Sequence, residues 1–219
     1  MARWDDFATA GTPAMDRLIE RFDRGLRVLA AKPRATRPNP AGDAADTDLD
    51  PAEQKHVAGL MRVNHTGEIC AQALYEGQAV TANDEQTRQA LLAAAAEETD
   101  HLAWCQERLA ELDSQPSVLN PAFYAASFAI GALTGLLGDR VSLGFVEATE
   151  DQVCKHLEDH LEALPADDAR SRAILERMHA DEARHGATAL AKGGSEFPDA
   201  VKSGMRLVSK LMTESTYRL

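Results

Sequence analysis

Apolar residues recur at three- and four-residue intervals along most of this chain, the period of one helix face, while two-residue alternation and Asn-Gly or Asp-Gly turns are missing. A first amphipathic stretch runs from about Ala14 to Ala31 and carries Met15, Leu18, Ile19, Phe22, Leu26, Val28 and Leu29. Pro33, Pro38 and Pro40 then break the pattern amid Gly, Ala and Asp, so residues 32–49 read as a linker or mobile loop. Asp50-Pro51-Ala52-Glu53 combines a capping acid, a proline at the first helical position and a glutamate at the third, which starts a helix predicted to reach about Thr81. Asn83-Asp84 restarts the chain into a helix from Glu85 to Leu112. Asn120-Pro121 opens an apolar segment reaching Gly138, and Asp139 to Leu164 is helical until Pro165. Asp167-Asp168 caps a further helix ending near Gly193-Gly194, and a last one covers about Asp199 to Met212. The expected fold is all-α, with four helices long enough to form a bundle. Residues 1–50 form an N-terminal helix and linker, and residues 51–219 one domain.

The segment from Ser114 to Gly138 contains no charge. Its apolar part, Ala122 to Gly138, is 17 residues long, the short end of the roughly 17–25 needed to span a bilayer. Asn120-Pro121 and Gly131, Gly135 and Gly138 loosen it further, so insertion into one leaflet is expected rather than a span. The competing reading is a helix packed within the protein, where Gly131-x-x-x-Gly135 permits close approach.

Composition narrows the classes of function. Among 219 residues, 23 Lys and Arg stand against 35 Asp and Glu, a formal net charge of −12 that repels phosphate backbones, so no nucleic-acid partner is expected. The same charge weakens attraction to anionic lipid and throws membrane binding onto the apolar segment. Cys70, Cys105 and Cys154 are odd in number, far apart and without a CxxC spacing, which fits a reducing compartment. Met1-Ala2-Arg3-Trp4-Asp5-Asp6 has acids where a secretory signal needs an apolar core, so retention in the cytosol is expected.

Two Glu-x-x-His steps fall on predicted helices, Glu98-Thr99-Asp100-His101 and Glu182-Ala183-Arg184-His185. Residues three apart share a helix face, so each step can present a carboxylate and an imidazole to one metal. One such step alone is most often surface chance. Here, however, Glu68 lies 30 residues before Glu98 and Glu150 lies 32 before Glu182, so each step follows a helix carrying one more candidate carboxylate. A Glu from each of two helices and a Glu-x-x-His from each of two others is the pattern of carboxylate di-iron and di-manganese bundles. Four carboxylates facing one core need compensation, and two divalent metals supply it. Carboxylate and imidazole without thiolate favour iron or manganese over structural zinc. On spacing alone Glu97 competes with Glu98, being four residues from His101, and Glu147 competes with Glu150.

Asn64-His65-Thr66-Gly67-Glu68, Glu98-Thr99-Asp100-His101-Leu102, Glu150 before His156, Asp181-Glu182-Ala183-Arg184-His185-Gly186 and the ending Thr216-Tyr217-Arg218-Leu219 resemble the motifs of the demethoxyubiquinone hydroxylases. The resemblance covers about residues 51–219 and favours Glu98 and Glu150 over their competitors. It implies a ferritin-like four-helix bundle, with additional N-terminal, membrane-facing and C-terminal helices, lying peripherally on the cytoplasmic side of the cell membrane. It further implies two iron ions per chain, one held by Glu68, Glu98 and His101 and the other by Glu150, Glu182 and His185, with Glu98 and Glu182 bridging. The implied activity is hydroxylation of the ring of a demethoxy polyprenyl benzoquinol with O2. The electrons come from a separate donor or from the quinol, because no nucleotide-binding fingerprint is present. Further copies of the chain or other ubiquinone-synthesis proteins are left open as partners.

Alternatives from other classes are a ferritin-type iron-oxidising protein and a di-iron oxygenase acting on another substrate. Around the six ligand candidates, His156 is a candidate for proton delivery or quinol contact. Asp100 and Asp181 either orient the histidines or face solvent. His65 reads as a packing residue, and His56, His160 and His179 as surface or core histidines. Cys105 and Cys154 read as small buried hydrophobes. Glu97 and His179 are expected to be dispensable.

Overall fold

A computed structural model describes residues 13–45 and 48–219, and among these there are seven helices and no strand. The acidic start Met1–Asp6 and the side chains of Met15, Leu18 and Phe22 lie outside the described residues. The chain divides into two compact units, residues 1–32 and 33–219. The first contains α1 (Pro13–Ala30), with an exposed Asp23–Arg27 pair at 2.6 Å one turn apart.

The second unit holds α2 (Pro51–Thr81), α3 (Glu85–Glu111), α4 (Asn120–Leu136), α5 (Asp139–Ala163), α6 (Ala169–Ala191) and α7 (Asp199–Thr216). Local chemistry sets the helix ends. The Asp50 carboxylate accepts from the Ala52 and Glu53 amides, and Glu53 reaches back to the Asp50 amide. Asp84 and Asp168 cap α3 and α6 through the amides of Thr87 and Ser171. Asp139, in the first turn of α5, accepts from the amides of Asn83 and Asp84 and so ties the α2–α3 turn to α5. Gly193, at φ 95°, turns the chain out of α6.

Short connections make α2 and α3 one antiparallel pair and α5 and α6 another, with α4 as the crossover between them. α2 also packs on α5, and α3 on α6, closing a four-helix bundle. Its core has two apolar layers. One contains Met61, Trp104, Leu109, Leu157, Ile174 and Met178. The other contains Tyr75, Leu91, Leu143, Val146 and Ala189. On every bundle helix, residues 68, 98–101, 150 and 182–185 fall between the two layers. The helices thus bring polar residues to one level of the bundle and close it with hydrocarbon on both sides.

Two expectations change. Residues 33–45 are not a free linker. Thr36 and Arg37 bind Asp100, Asn39 donates to Glu107, and Arg170 on α6 donates to the Ala44 carbonyl. The segment is a strap laid across α3 and α6, so it goes with the bundle rather than with the N-terminal helix. The packed and exposed readings of the uncharged segment also prove to be complementary faces of one helix. α4 lies on α2 through Gly131 and Gly135, where a Cβ would collide with the Leu74 carbonyl and the Thr81 hydroxyl, and Gly77 of α2 meets the Phe128 carbonyl in the same way. Its opposite face is open to solvent, with Leu133 62% and Leu136 70% exposed. No described helix is long and apolar enough to cross a membrane. With α4 as a cover, α2 is buried nearly all round, which explains why its sequence shows little amphipathic contrast.

The C-terminal residues are tied back to α2. The Tyr217 ring lies over Gly59, its hydroxyl is 2.6 Å from His56 Nδ1, and Arg62 donates to its carbonyl. The close α2–α4 seam makes a stability prediction. Gly131→Ala lowers the unfolding free energy by about 1–3 kcal/mol through overpacking. Gly204→Ala on α7, where a Cβ meets nothing, is neutral or stabilising by up to about 1 kcal/mol. Calorimetric melting of the two variants checks this, and equal shifts contradict the seam.

Candidate metal centre

Glu68 of α2, Glu98 and His101 of α3, Glu150 of α5, and Glu182 and His185 of α6 converge between the apolar layers, none more than 7% exposed. Two overlapping groups arise, Glu68, Glu98, His101 and Glu182 in one and Glu150, Glu182 and His185 in the other, each with its ligand atoms within 4.8 Å of one another. Both imidazoles turn Nδ1 inward. His101 Nδ1 lies 2.8 Å from Glu98 Oε2 and 2.9 Å from Glu182 Oε1. His185 Nδ1 lies 3.2 Å from Glu98 Oε1 and 3.0 Å from Glu182 Oε2. Glu98 and Glu182 therefore each direct one oxygen to each histidine, the arrangement of a carboxylate able to bridge two ions. The remaining carboxylates of the pseudo-repeat, Glu68 and Glu150, each join one of the two groups.

The donor set fits metal. Both oxygens of Glu98, one oxygen each of Glu150 and Glu182, and His101 Nδ1 are buried without a hydrogen-bond partner despite their proximity. Lone pairs aimed at a common space and left unpaired are costly unless a cation takes them up. The electrostatics agree. Burial raises Glu68 and Glu150 well above the usual carboxylate range, with further upward push from neighbouring carboxylates. Burial opposes ionisation of Glu98 too, yet His101 and His185 hold it below its ordinary value. Burial would lower both histidines, but the surrounding carboxylates, which accept from the protonated rings, raise His101 well above its ordinary value and His185 to about 11. The cluster demands positive charge at its centre, which metal supplies in exchange for protons.

The outward ring nitrogens follow the same pseudo-repeat. Asp181, immediately before Glu182, places Oδ2 3.1 Å from His101 Nε2. Glu97, immediately before Glu98, places Oε2 3.3 Å from His185 Nε2 and receives Arg184 at 2.7 Å. Each helix thus orients the other helix's histidine. Glu97, expected to be dispensable, does not enter the cluster but lies against the outward nitrogen of His185. Of the two neighbouring acids, Asp181 orients a histidine and Asp100 anchors the strap instead. Glu147 faces Lys202 of α7 at 3.2 Å, which leaves Glu150 as the α5 carboxylate of the cluster.

His156 is not brought to the cluster. Its ring packs at a tilt against that of His160, 3.9 Å between centroids, and burial lowers the pKa of both. His65 is buried beside Asn120 and lowered by burial to about 4, a packing role as expected. His56 bonds Tyr217, and His179 pairs with Glu158. Cys105 is buried against Met178, whereas Cys154 is only partly buried, near the His179 carbonyl. A groove of about 550 Å3, apolar at Leu91, Ala94, Leu143 and Val146, is also lined by His185 and Glu97. A second cavity of about 730 Å3, at His56, Arg62 and Tyr217, contains none of the cluster.

Fold and site together define a four-helix-bundle protein with a buried carboxylate–histidine cluster able to hold metal. Comparison with known proteins is consistent with that class. A family model described as ubiquinone biosynthesis protein COQ7 matches residues 55–216, and the chain belongs to this family. The 3-demethoxyubiquinol 3-hydroxylase of Ectopseudomonas mendocina is 60% identical over 206 residues, covering 94% of this chain and 96% of the relative. The 3-demethoxyubiquinol 3-hydroxylase of Azotobacter vinelandii is 59% identical over 209 residues, with 94% and 96% covered. That of Chromohalobacter salexigens is 59% identical over 205 residues, with 93% and 96% covered.

The position of Glu97 makes a prediction. Glu97→Ala lowers metal affinity roughly tenfold, and Glu97→Gln, which keeps an acceptor oxygen, lowers it less. Metal retained after equilibration with graded chelator measures this, and wild-type retention in Glu97→Ala contradicts the role.

Proposed function

We propose that this chain is a 3-demethoxyubiquinol 3-hydroxylase, a monooxygenase that introduces a hydroxyl into the ring of a demethoxy polyprenyl benzoquinol. The observation that carries the reading is the pair of glutamates, Glu98 and Glu182, each facing both His101 and His185, in a chain of this family. Glu68, Glu98 and His101 would hold one iron ion and Glu150, Glu182 and His185 the other. When bound, the two ions supply O2 activation, with one oxygen atom entering the ring, the other leaving as water, and two electrons drawn from a separate donor or from the quinol.

The protein's own part is to hold this geometry and keep it dry. Asp181 and Glu97 bind the outward nitrogens of His101 and His185, which fixes each Nδ1 toward the centre. The apolar layers around Met61 and Trp104 and around Tyr75 and Leu143 exclude water above and below the cluster.

A polyprenyl quinol resides in lipid, and the outward face of α4 suits the chain to a membrane surface. The helix carries no charge, and Ile130, Leu133, Leu136 and Leu137 are exposed. Such a face enters the acyl boundary without crossing it. We place the protein peripherally on the cytoplasmic side of the cell membrane, bound mainly by apolar contact.

Two experiments test these readings. After anaerobic loading to about two irons per chain, one turnover with 18O2 and a demethoxyquinol gives ring-hydroxylated product carrying one labelled oxygen. Glu98→Ala and Glu182→Ala each lose both irons and the product. Iron oxidised and stored without ring hydroxylation indicates the ferritin-type alternative and contradicts the reading. For the membrane, Leu133→Glu with Leu136→Glu abolishes flotation with liposomes and activity toward long-tailed quinol, while wild-type flotation persists at high salt. Unchanged flotation of a folded, iron-loaded double variant contradicts the role of α4.

A further inference from the structure

The two histidines of the cluster are backed unequally. His185 meets Glu97, a side chain 37% exposed that lines an open groove. His101 meets Asp181, a side chain 4% exposed, which Arg37 of the strap covers from outside. The guanidinium spans both acids, with Nε 2.5 Å from Asp100 Oδ2 and one terminal nitrogen 2.6 Å from Asp181 Oδ2. Its other terminal nitrogen is 3.4 Å from His101 Nε2, and its carbon lies 4.9 Å from the centre of the Trp104 ring. Trp104 in turn packs on the His101 ring, 5.3 Å between centroids. Arg177 and Arg184 also reach Asp181, but they come from α6 itself, one turn either side, and neither touches Asp100 or the histidine. Arg184 links Asp181 to Glu97 of α3, whereas Arg37 links it to Asp100 and reaches the His101 side from the strap.

The strap is built to deliver that one side chain. The Thr36 amide donates to Asp100 Oδ1 at 2.6 Å, immediately before Arg37. Beyond it, Asn39 holds Glu107, Ala41 is buried, and Ala44 receives Arg170. A planar fork between two carboxylates is a task for arginine, since lysine offers a single point charge and cannot satisfy both acids in fixed geometry. The strap also lies upstream of residues 55–216, the span matched by the family model.

We propose that residues 33–45 are a latch over the His101 side of the metal centre, with Arg37 as the positioning residue that holds Asp181 against His101. Through Asp181 it fixes the orientation of the His101 ring, and through Asp100 it holds α3 and α6 together outside the cluster. The consequence is an asymmetric pair of metal positions, one sealed and one beside an open groove. This inference rests on the metal-binding reading above, and its test separates the two.

The full-length protein is compared with Arg37→Ala, Arg37→Lys and Glu97→Ala. Hydrogen exchange monitored by mass spectrometry reports the latch without metal. In Arg37→Ala, residues 33–45 exchange faster while the bundle helices keep their protection. With 57Fe loaded anaerobically, Mössbauer spectra report each iron separately. Arg37→Ala alters the signal of one iron of the pair, Glu97→Ala alters the other, and Arg37→Lys restores only part of the wild-type spectrum. Release of iron to a chelator is about tenfold faster in Arg37→Ala. Unchanged exchange in the strap, or an unchanged spectrum together with wild-type release, overturns the latch. If wild type binds no iron, the metal reading falls, and the exchange result alone decides whether the strap is held by Arg37.

Discussion

Everything in this bundle is arranged around four carboxylates brought together where water is excluded. Each ionised carboxylate taken out of water costs several kcal/mol even after relaxation, so four without compensation would exceed the roughly 5–15 kcal/mol of net stability that a domain of this size has. The cluster needs its negative charge neutralised, by protons or by cations. Without metal, protons on the two inward imidazoles and on the raised Glu68 and Glu150 do this; the unpaired oxygens of Glu98, Glu150 and Glu182 face the space where cations would replace those protons. The helical repeat makes such convergence possible, because a Glu and a His three residues apart on each of two helices meet one more Glu from each partner helix.

The surrounding structure answers that constraint in layers. Hydrocarbon closes the bundle at both ends of the cluster, while acids on neighbouring helices take the outward ring nitrogens. Arginines neutralise those acids in turn: Arg184 serves both Glu97 and Asp181, and Arg37 joins Asp181 to Asp100. α4 answers a different demand. It covers α2, so that α2 can be buried all round, and glycines at the seam bring the two backbones close enough that α4 need not spend its large side chains there. Those side chains are left facing outward, which joins bundle assembly and the proposed membrane contact in one helix.

The helices and the convergence of the cluster were legible because both depend on short-range periodicity. The caps at Asp50, Asp84 and Asp168 and the two Glu-x-x-His steps each need only a few neighbouring residues to be recognised. Glu150 over Glu147 was legible through family resemblance, and the structure gives the physical reason, since Glu147 is turned toward Lys202. What stayed hidden were contacts between residues far apart in sequence. Arg37 sits in a proline-rich stretch with no helical period, and nothing local announces that it meets Asp100 and Asp181. The backing of His185 by Glu97 was hidden differently: Glu97 looked like a competitor for Glu98, although the matched positions of Glu97 and Asp181, each just before a glutamate of the pseudo-repeat, carried the signal.

The central proposal is that Glu98 and Glu182 would bridge two metal ions, each also held by one histidine. A crystal structure of the iron-loaded protein, with anomalous scattering recorded at the iron edge, tests it most directly. The account predicts two peaks roughly 3.5–4 Å apart, one beside His101 Nδ1 and one beside His185 Nδ1, with an oxygen of Glu98 and of Glu182 on each. A single peak, or iron bound outside the six converging residues, would contradict it.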